Sequence, residues 1–225
     1  MIVTPPRWLY LHGFASSPTS TKATQLAAHY AQKGIALTAL DLRQPSFEHQ
    51  RLSAMIAHVR VAIGGERDRA VLFGSSLGGL TAARVAEEDA RVCAIVLLAP
   101  AFRMIERWRL KLGEEAWARW EKSGSMEVND HAANRKARVD FGFPEDASRV
   151  DARSDGWPDV RVPTLIVHGV RDDVVDIELS RVWARGKRHA RLVEVDDGHE
   201  LRASLATIAL EADIHLSAML GGAGG

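Results

Sequence analysis

One cysteine, Cys93, stands among 225 residues, so no internal disulfide braces this chain and no cysteine pair can seat a metal. An excess of one charge is also missing, because 29 Lys and Arg balance 29 Asp and Glu. With no net field to attract polyanions, neither nucleic acid nor an anionic membrane surface is an expected partner. No apolar run approaches the roughly 18 residues that a membrane span requires. The opening Met-Ile-Val-Thr-Pro-Pro-Arg shows no charged leader ahead of an apolar core, as a secretory signal would. A soluble, cytoplasmic protein is therefore expected. Internal repeats are absent, and low-complexity sequence is confined to Gly221–Gly225, a tail expected to fray. Cys93 lies inside the apolar run Val92 to Leu98 and reads as a small buried hydrophobe.

What is present is a 46% apolar chain, enough for one sizeable core. Short apolar runs alternate with helical spacing. Trp8–Leu11, Ile35–Leu42, Ala70–Phe73, Ala94–Leu98, Thr164–Val167 and Leu192–Val195 read as strands. Helical patterns follow at 20–33, 47–63, 77–88 and about 200–220, the first two closed by Gly34 and by Gly64-Gly65. Strands alternating with helices must pair in parallel, since each return crosses the sheet on a helix. The expected fold is an α/β, three-layer α/β/α sandwich around a mostly parallel, doubly wound sheet. Residues 101–160 break the rhythm, with Trp108, Trp117 and Trp120 on two short helices and a polar, loop-like stretch from Ser123 to Gly156. An insertion of that length in a compact domain is usually functional or disordered. It is expected to form a helical cap, with 1–100 and 161–225 as the core.

Gly74-Ser75-Ser76-Leu77-Gly78 has the glycine-x-serine-x-glycine spacing of a nucleophile elbow, between a strand and a helix. That spacing selects Ser76. A serine hydroxyl is weakly nucleophilic at neutral pH and needs a base, which an acid in turn orients. The strand ending in His168-Gly169 leads to Asp172, with Asp173 as neighbouring rival, and an acid there sits at the carboxyl edge of the sheet. After the sixth strand, Asp197-Gly198-His199-Glu200 puts His199 on a loop able to reach back to the elbow. The backbone N–H groups of Phe14, after the first strand, and Leu77, after the nucleophile, are candidate oxyanion donors. His12 and Trp108 are candidate substrate contacts. His168 is expected to be structural, and Asp196 and Asp197 to form a solvated turn. No metal is expected, and the glycine loop lacks the lysine of a nucleotide-triphosphate site. Arg103, Arg107, Arg109 and Lys111 make the insertion locally basic, which suits a solvated helix face or an anionic group on a substrate.

Several segments carry a family likeness: Tyr10-Leu11-His12-Gly13-Phe14-Ala15-Ser16-Ser17-Pro18, Asp41-Leu42, Gly74 to Gly79, His168-Gly169 with Asp172, and Gly198-His199-Glu200-Leu201. In these the chain resembles the α/β-hydrolase superfamily and, more narrowly, the YqiA/YcfP-like esterase family, over about residues 8–100 and 160–215. The resemblance implies a triad of Ser76, Asp172 and His199, an oxyanion hole at Phe14 and Leu77, no cofactor, and a small-molecule ester or thioester substrate. The same triad could serve an amide or a carbon–carbon bond, and a non-catalytic hydrolase-fold protein would bind a ligand or partner through the cap.

Overall fold

Short runs of Val, Leu and Ile with almost no alternation suit strands covered on both faces. The computed structural model describes residues 5–220, so the expectation for the 221–225 tail lies outside the described residues. Its main elements are β1 (Arg7–Leu11), α1 (Thr21–Ala31), β2 (Leu37–Leu40), α2 (Leu52–Ile63), β3 (Ala70–Ser75), α3 (Leu77–Glu88) and β4 (Val92–Leu98). The insertion follows as α4 (Met104–Ser123), β5 (Ser125–Asp130), β6 (Arg135–Asp140) and α5 (Gly142–Asp151). The chain closes with β7 (Thr164–Gly169), α6 (Ile177–Ala184), β8 (Ala190–Val195), α7 (Leu205–His215) and α8 (Ser217–Leu220).

Six strands form one sheet in the order β2-β1-β3-β4-β7-β8, every neighbouring pair parallel. Tyr10 stands opposite Phe73, and Leu97 opposite both Gly74 and Ile166. Side chains two apart share a face. Leu9, Leu11 and Leu72 pack with α2, α3 and the insertion, whereas Trp8, Tyr10, Val71 and Phe73 pack with α1 and α7. The strand order turns between β1 and β3, so their following loops diverge and leave a crevice at the carboxyl edge.

The insertion departs from the expectation. The segment read as a loop from Ser123 to Gly156 contains an antiparallel hairpin, β5–β6, and the helix α5. Met126 pairs with Val139 and Val128 with Ala137, so each strand offers only two apolar side chains among charged neighbours. Asn134 in the connection takes the left-handed backbone that such turns demand (φ 49°). Trp117 and Trp120 are buried in the same core cluster as the sheet, and Trp120 Nε1–H donates to the Val139 carbonyl at 3.0 Å. Three acids strap the segment down. Asp140 meets Arg51 at 2.7 Å, Asp146 accepts from the Ser53 N–H at 2.8 Å, and Asp151 meets Arg84 at 2.8 Å. The two short helices expected ahead of the hairpin are the two halves of α4, which breaks at Gly113 (φ 75°).

Smaller differences have local causes. The second helix begins at Leu52, not Phe47. The last begins at Leu205, because 200–204 is held as a loop by Asp197, whose Oδ2 accepts from Ser204 N (3.0 Å) and Oγ (2.9 Å). Asp197 thus organises a turn instead of merely being solvated. Cys93 is half-buried, and burial raises its thiol pKa. No helix among the described residues is long and apolar enough to cross a membrane.

Since Trp120 is 2% exposed and spans α4 and the hairpin, Trp120→Ala should cost about 3–5 kcal/mol of stability by urea denaturation. A loss under about 1 kcal/mol would mean that the insertion contributes little to the core.

Candidate active site

β3 runs straight into Ser76, whose φ of 54° and ψ of −115° lie where side-chain-bearing residues rarely go. The surroundings enforce that geometry. The Ser76 N–H donates to the Leu98 carbonyl at 2.9 Å, and its own carbonyl accepts from Leu80 (3.1 Å) and Ala101 (3.0 Å). Backbones cross closely on either side. A Cβ on Gly74 would stand 2.3 Å from the Gly78 carbonyl oxygen, and one on Gly78 would stand 2.1 Å from that of Leu11. Only glycine fits both positions.

Asp172 lies in the loop after β7, its side chain wholly buried. Its Oδ1 accepts the N–H groups of Val174 (2.8 Å) and Val175 (2.7 Å). Its Oδ2 accepts from His199 Nδ1 at 2.8 Å and from His168 Nε2 at 3.1 Å. Burial alone would raise this carboxyl's pKa, but the bonds from His168, His199 and the Val175 amide hold it well below the usual carboxylate range. With Nδ1–H of His199 committed to Asp172, Nε2 is left as the ring's base atom. Asp173, the rival acid, is exposed.

His168 does more than fill space. It is fully buried, and its Nδ1 faces the Ser180 hydroxyl at 2.7 Å. With Nε2–H donating to Asp172, Nδ1 must accept from Ser180, which fixes the tautomer. Sequence reading missed this role. Its only signal was a histidine four residues ahead of the acid.

Ser76 and His199 face one cavity of about 840 Å³, at the turn of the strand order. No hydrogen bond joins the Ser76 hydroxyl to the imidazole in this structure, and such contacts often tighten only when substrate is bound. Phe14 and Leu77 line the same cavity. Among the described residues neither of their N–H groups has an acceptor, as expected for Leu77 in the first turn of α3. Trp108 also lines it, edge-on to the Phe14 ring at 5.1 Å. The hairpin tip reaches this wall too, with the Ala132 N–H donating to the Ala15 carbonyl at 3.1 Å. Tyr10 also contributes to the wall, and its hydroxyl is buried.

His12, a candidate substrate contact, is buried and is not part of this cavity's wall. Its Nε2 accepts the Leu42 N–H at 3.0 Å, so its Nδ1–H donates to the Gly13 carbonyl at 2.8 Å. Burial lowers its pKa, in keeping with a neutral ring that ties the loop after β1 to the loop after β2. Among the described residues no group of three or more His, Cys, Asp or Glu could hold a metal ion.

The pKa of Asp172 sets a pH dependence. A folded pKa below the unfolded value, about 3.9, adds stability that is complete above that pH and lost as pH falls through the folded pKa. Wild type should therefore lose stability relative to Asp172→Asn on acidification from pH 5 to pH 3 (about one unit either side of that value), read by urea midpoints. Parallel losses in the two proteins would contradict the buried ion assignment.

The sequence matches the model of the uncharacterised protein family UPF0227 over residues 7–209, and the chain belongs to that family. Among curated proteins none matches. Similar solved structures include mouse alpha/beta hydrolase domain-containing protein 10, at 16% identity and TM-score 0.77, covering 97% of this chain and 92% of that one. Est1E from Butyrivibrio proteoclasticus is similar at 21% identity and TM-score 0.75, covering 98% and 90%. A monoacylglycerol lipase from Paleococcus ferrophilus is similar at 16% identity and TM-score 0.70, covering 96% of each chain. At these identities the likeness establishes the fold, which is that of the α/β hydrolases.

Proposed function

We propose that this member of UPF0227 is a serine hydrolase that cleaves carboxylic esters or thioesters through an acyl-enzyme on Ser76. The observation that carries the reading is the 2.8 Å bond between Asp172 and His199 Nδ1, beside a serine held at φ 54° in the same cavity. A buried carboxylate that orients an imidazole, with a strained serine nearby, supplies the parts that acyl transfer needs.

The chemistry follows from the donor and acceptor positions. Ser76 Oγ attacks the substrate carbonyl carbon while His199 Nε2 takes the hydroxyl proton. The carbonyl oxygen, now negative, rests on the Phe14 and Leu77 N–H groups, each of which lowers the barrier by about 2.7–4 kcal/mol in sites of this kind. Collapse breaks the bond to the leaving oxygen or sulfur, which takes the proton from His199. Water then gives a proton to Nε2 and attacks the acyl carbon. Breaking of the Ser76 ester releases the acid and returns the proton to Oγ. Asp172 stabilises the imidazolium in both halves. No cofactor is required, and residues 101–160 act as a cap, with Trp108 and the hairpin tip shaping the acyl site.

A fluorophosphonate probe reports on nucleophile, base and oxyanion donors together. Wild type should be labelled on the peptide that contains Ser76, with Ser76→Ala unlabelled and His199→Ala labelled far more slowly. An unlabelled wild type would point to a non-catalytic, ligand-binding protein. Asp172→Asn leaves the His199 tautomer unfixed and should lower kcat on a short-chain aryl ester about 10⁴-fold. A fall below tenfold would place the orienting acid elsewhere.

A further inference from the structure

Four cations cluster where the insertion begins, and the fold sorts them. Arg103 pairs with Glu106, and Arg109 pairs with Glu114 at 2.7 Å. Lys111 is exposed and lies away from the cavity wall. Arg107 alone of the four lines the cavity that holds Ser76 and His199. It is half-buried, and among the described residues its guanidinium forms no ion pair and a single hydrogen bond, to the Val174 carbonyl. A guanidinium has five N–H donors, so most of its capacity is unspent.

The acids that act on Arg107 from a distance, Asp172 and Asp176, are otherwise engaged. Both oxygens of Asp172 are taken by two histidines and two amides. Asp176 caps α6 by accepting the Glu178 N–H at 2.9 Å. The rest of the wall does not compensate. Lys22, Arg107 and Arg202 line it against a single carboxylate, Glu200, and Lys22 already claims that carboxylate at 3.4 Å. A chain of zero net charge has thus concentrated positive charge at its candidate site. A partly buried charge without a counter-ion is unfavourable, and a planar fork of donors matches the two oxygens of a carboxylate or phosphate.

We propose that Arg107 is a specificity-determining residue, which recognises an oxyanion (carboxylate or phosphate) on the ester that Ser76 cleaves. The proposal rests on the ester-hydrolase reading and adds a substrate class to it. A role confined to pinning the Val174 carbonyl would affect all esters alike, so the discriminating quantity is a ratio.

The test compares kcat/KM within two matched pairs of esters. One pair carries the anion on the acyl half, mono-4-nitrophenyl glutarate against 4-nitrophenyl butyrate. The other carries it on the leaving half, 3-acetoxybenzoate against phenyl acetate. The pair whose ratio depends on Arg107 identifies the half that meets the guanidinium. In that pair, the anionic-to-neutral ratio should fall at least tenfold in Arg107→Gln and less in Arg107→Lys. It should hold in Arg109→Gln, whose arginine lies outside the cavity. Should Arg107→Gln fail to fold, wild type still decides. Raising salt from about 0.01 M to about 1 M, which shortens the Debye length from about 30 Å to about 3 Å, should depress the ratio. Turnover of neutral esters with both ratios insensitive to Arg107 and to salt would overturn the proposal and leave the hydrolase reading intact. No turnover of any ester, with no fluorophosphonate labelling, would overturn both.

Discussion

Everything at the site depends on two backbones passing almost in contact beneath Ser76. The Gly78 backbone lies so near the Leu11 carbonyl oxygen that a Cβ would stand 2.1 Å from it, and Gly74 lies as close to Gly78. This crossing lets β3 turn into α3 within one residue and leaves Ser76 at a positive φ. A non-glycine residue in such a conformation stores about 1–3 kcal/mol, which only dense surroundings can sustain. They are dense here, since β3 lies between β1 and β4 with all six of its residues buried. Strain in the elbow and rigidity of the central sheet are therefore two aspects of one packing arrangement.

The second half of the site obeys a different constraint, the cost of burying a charge. Asp172 is tolerable inside the protein because four donors saturate it. Two of those donors are amides of its own loop, so the acid shapes the turn that carries it. The third, His168, is locked by Ser180 on α6 and links the acid to the body of the domain. The fourth, His199, lines the same cavity as Ser76. Its loop is braced independently, by Asp197 bonding to Ser204 and by the Arg171 N–H donating to the Asp197 carbonyl at 3.0 Å. The Asp172 bond fixes Nδ1 of the imidazole while the bracing fixes its loop.

Much of this was legible in the sequence because chemistry and strand ends coincide along the chain. The elbow spacing selects Ser76 over Ser75 and gains its weight from the strand before it and the helix after it, and the strand-to-loop setting brings Asp172 and His199 to the same edge as Phe14 and Leu77. Two kinds of information were not legible. The hairpin escaped because two apolar residues per strand, Met126 and Val128 against Ala137 and Val139, are too few for a convincing alternation. Helix α5 did leave a trace, since Phe143, Ala147 and Val150 fall at helical spacing with Pro144 in the first turn. Pairings across distant parts of the chain were the other gap. His12 looked available beside Gly13 until Leu42, thirty residues on, claimed its Nε2. Arg103, Arg107 and Arg109 are indistinguishable in one dimension, and only the fold shows which of them lacks a carboxylate.

The central claim is that Ser76 and His199, 123 positions apart, act as one unit across the sheet edge. Groups that act as a unit are grossly non-additive when removed. The direct measurement is kcat on a short-chain aryl ester for Ser76→Ala, His199→Ala and the double variant. The double variant should be no slower than the slower single one, within about threefold, because either change alone disables the nucleophile. If the two losses multiplied instead, the serine and the histidine would be working independently, and the acyl-transfer account would be wrong.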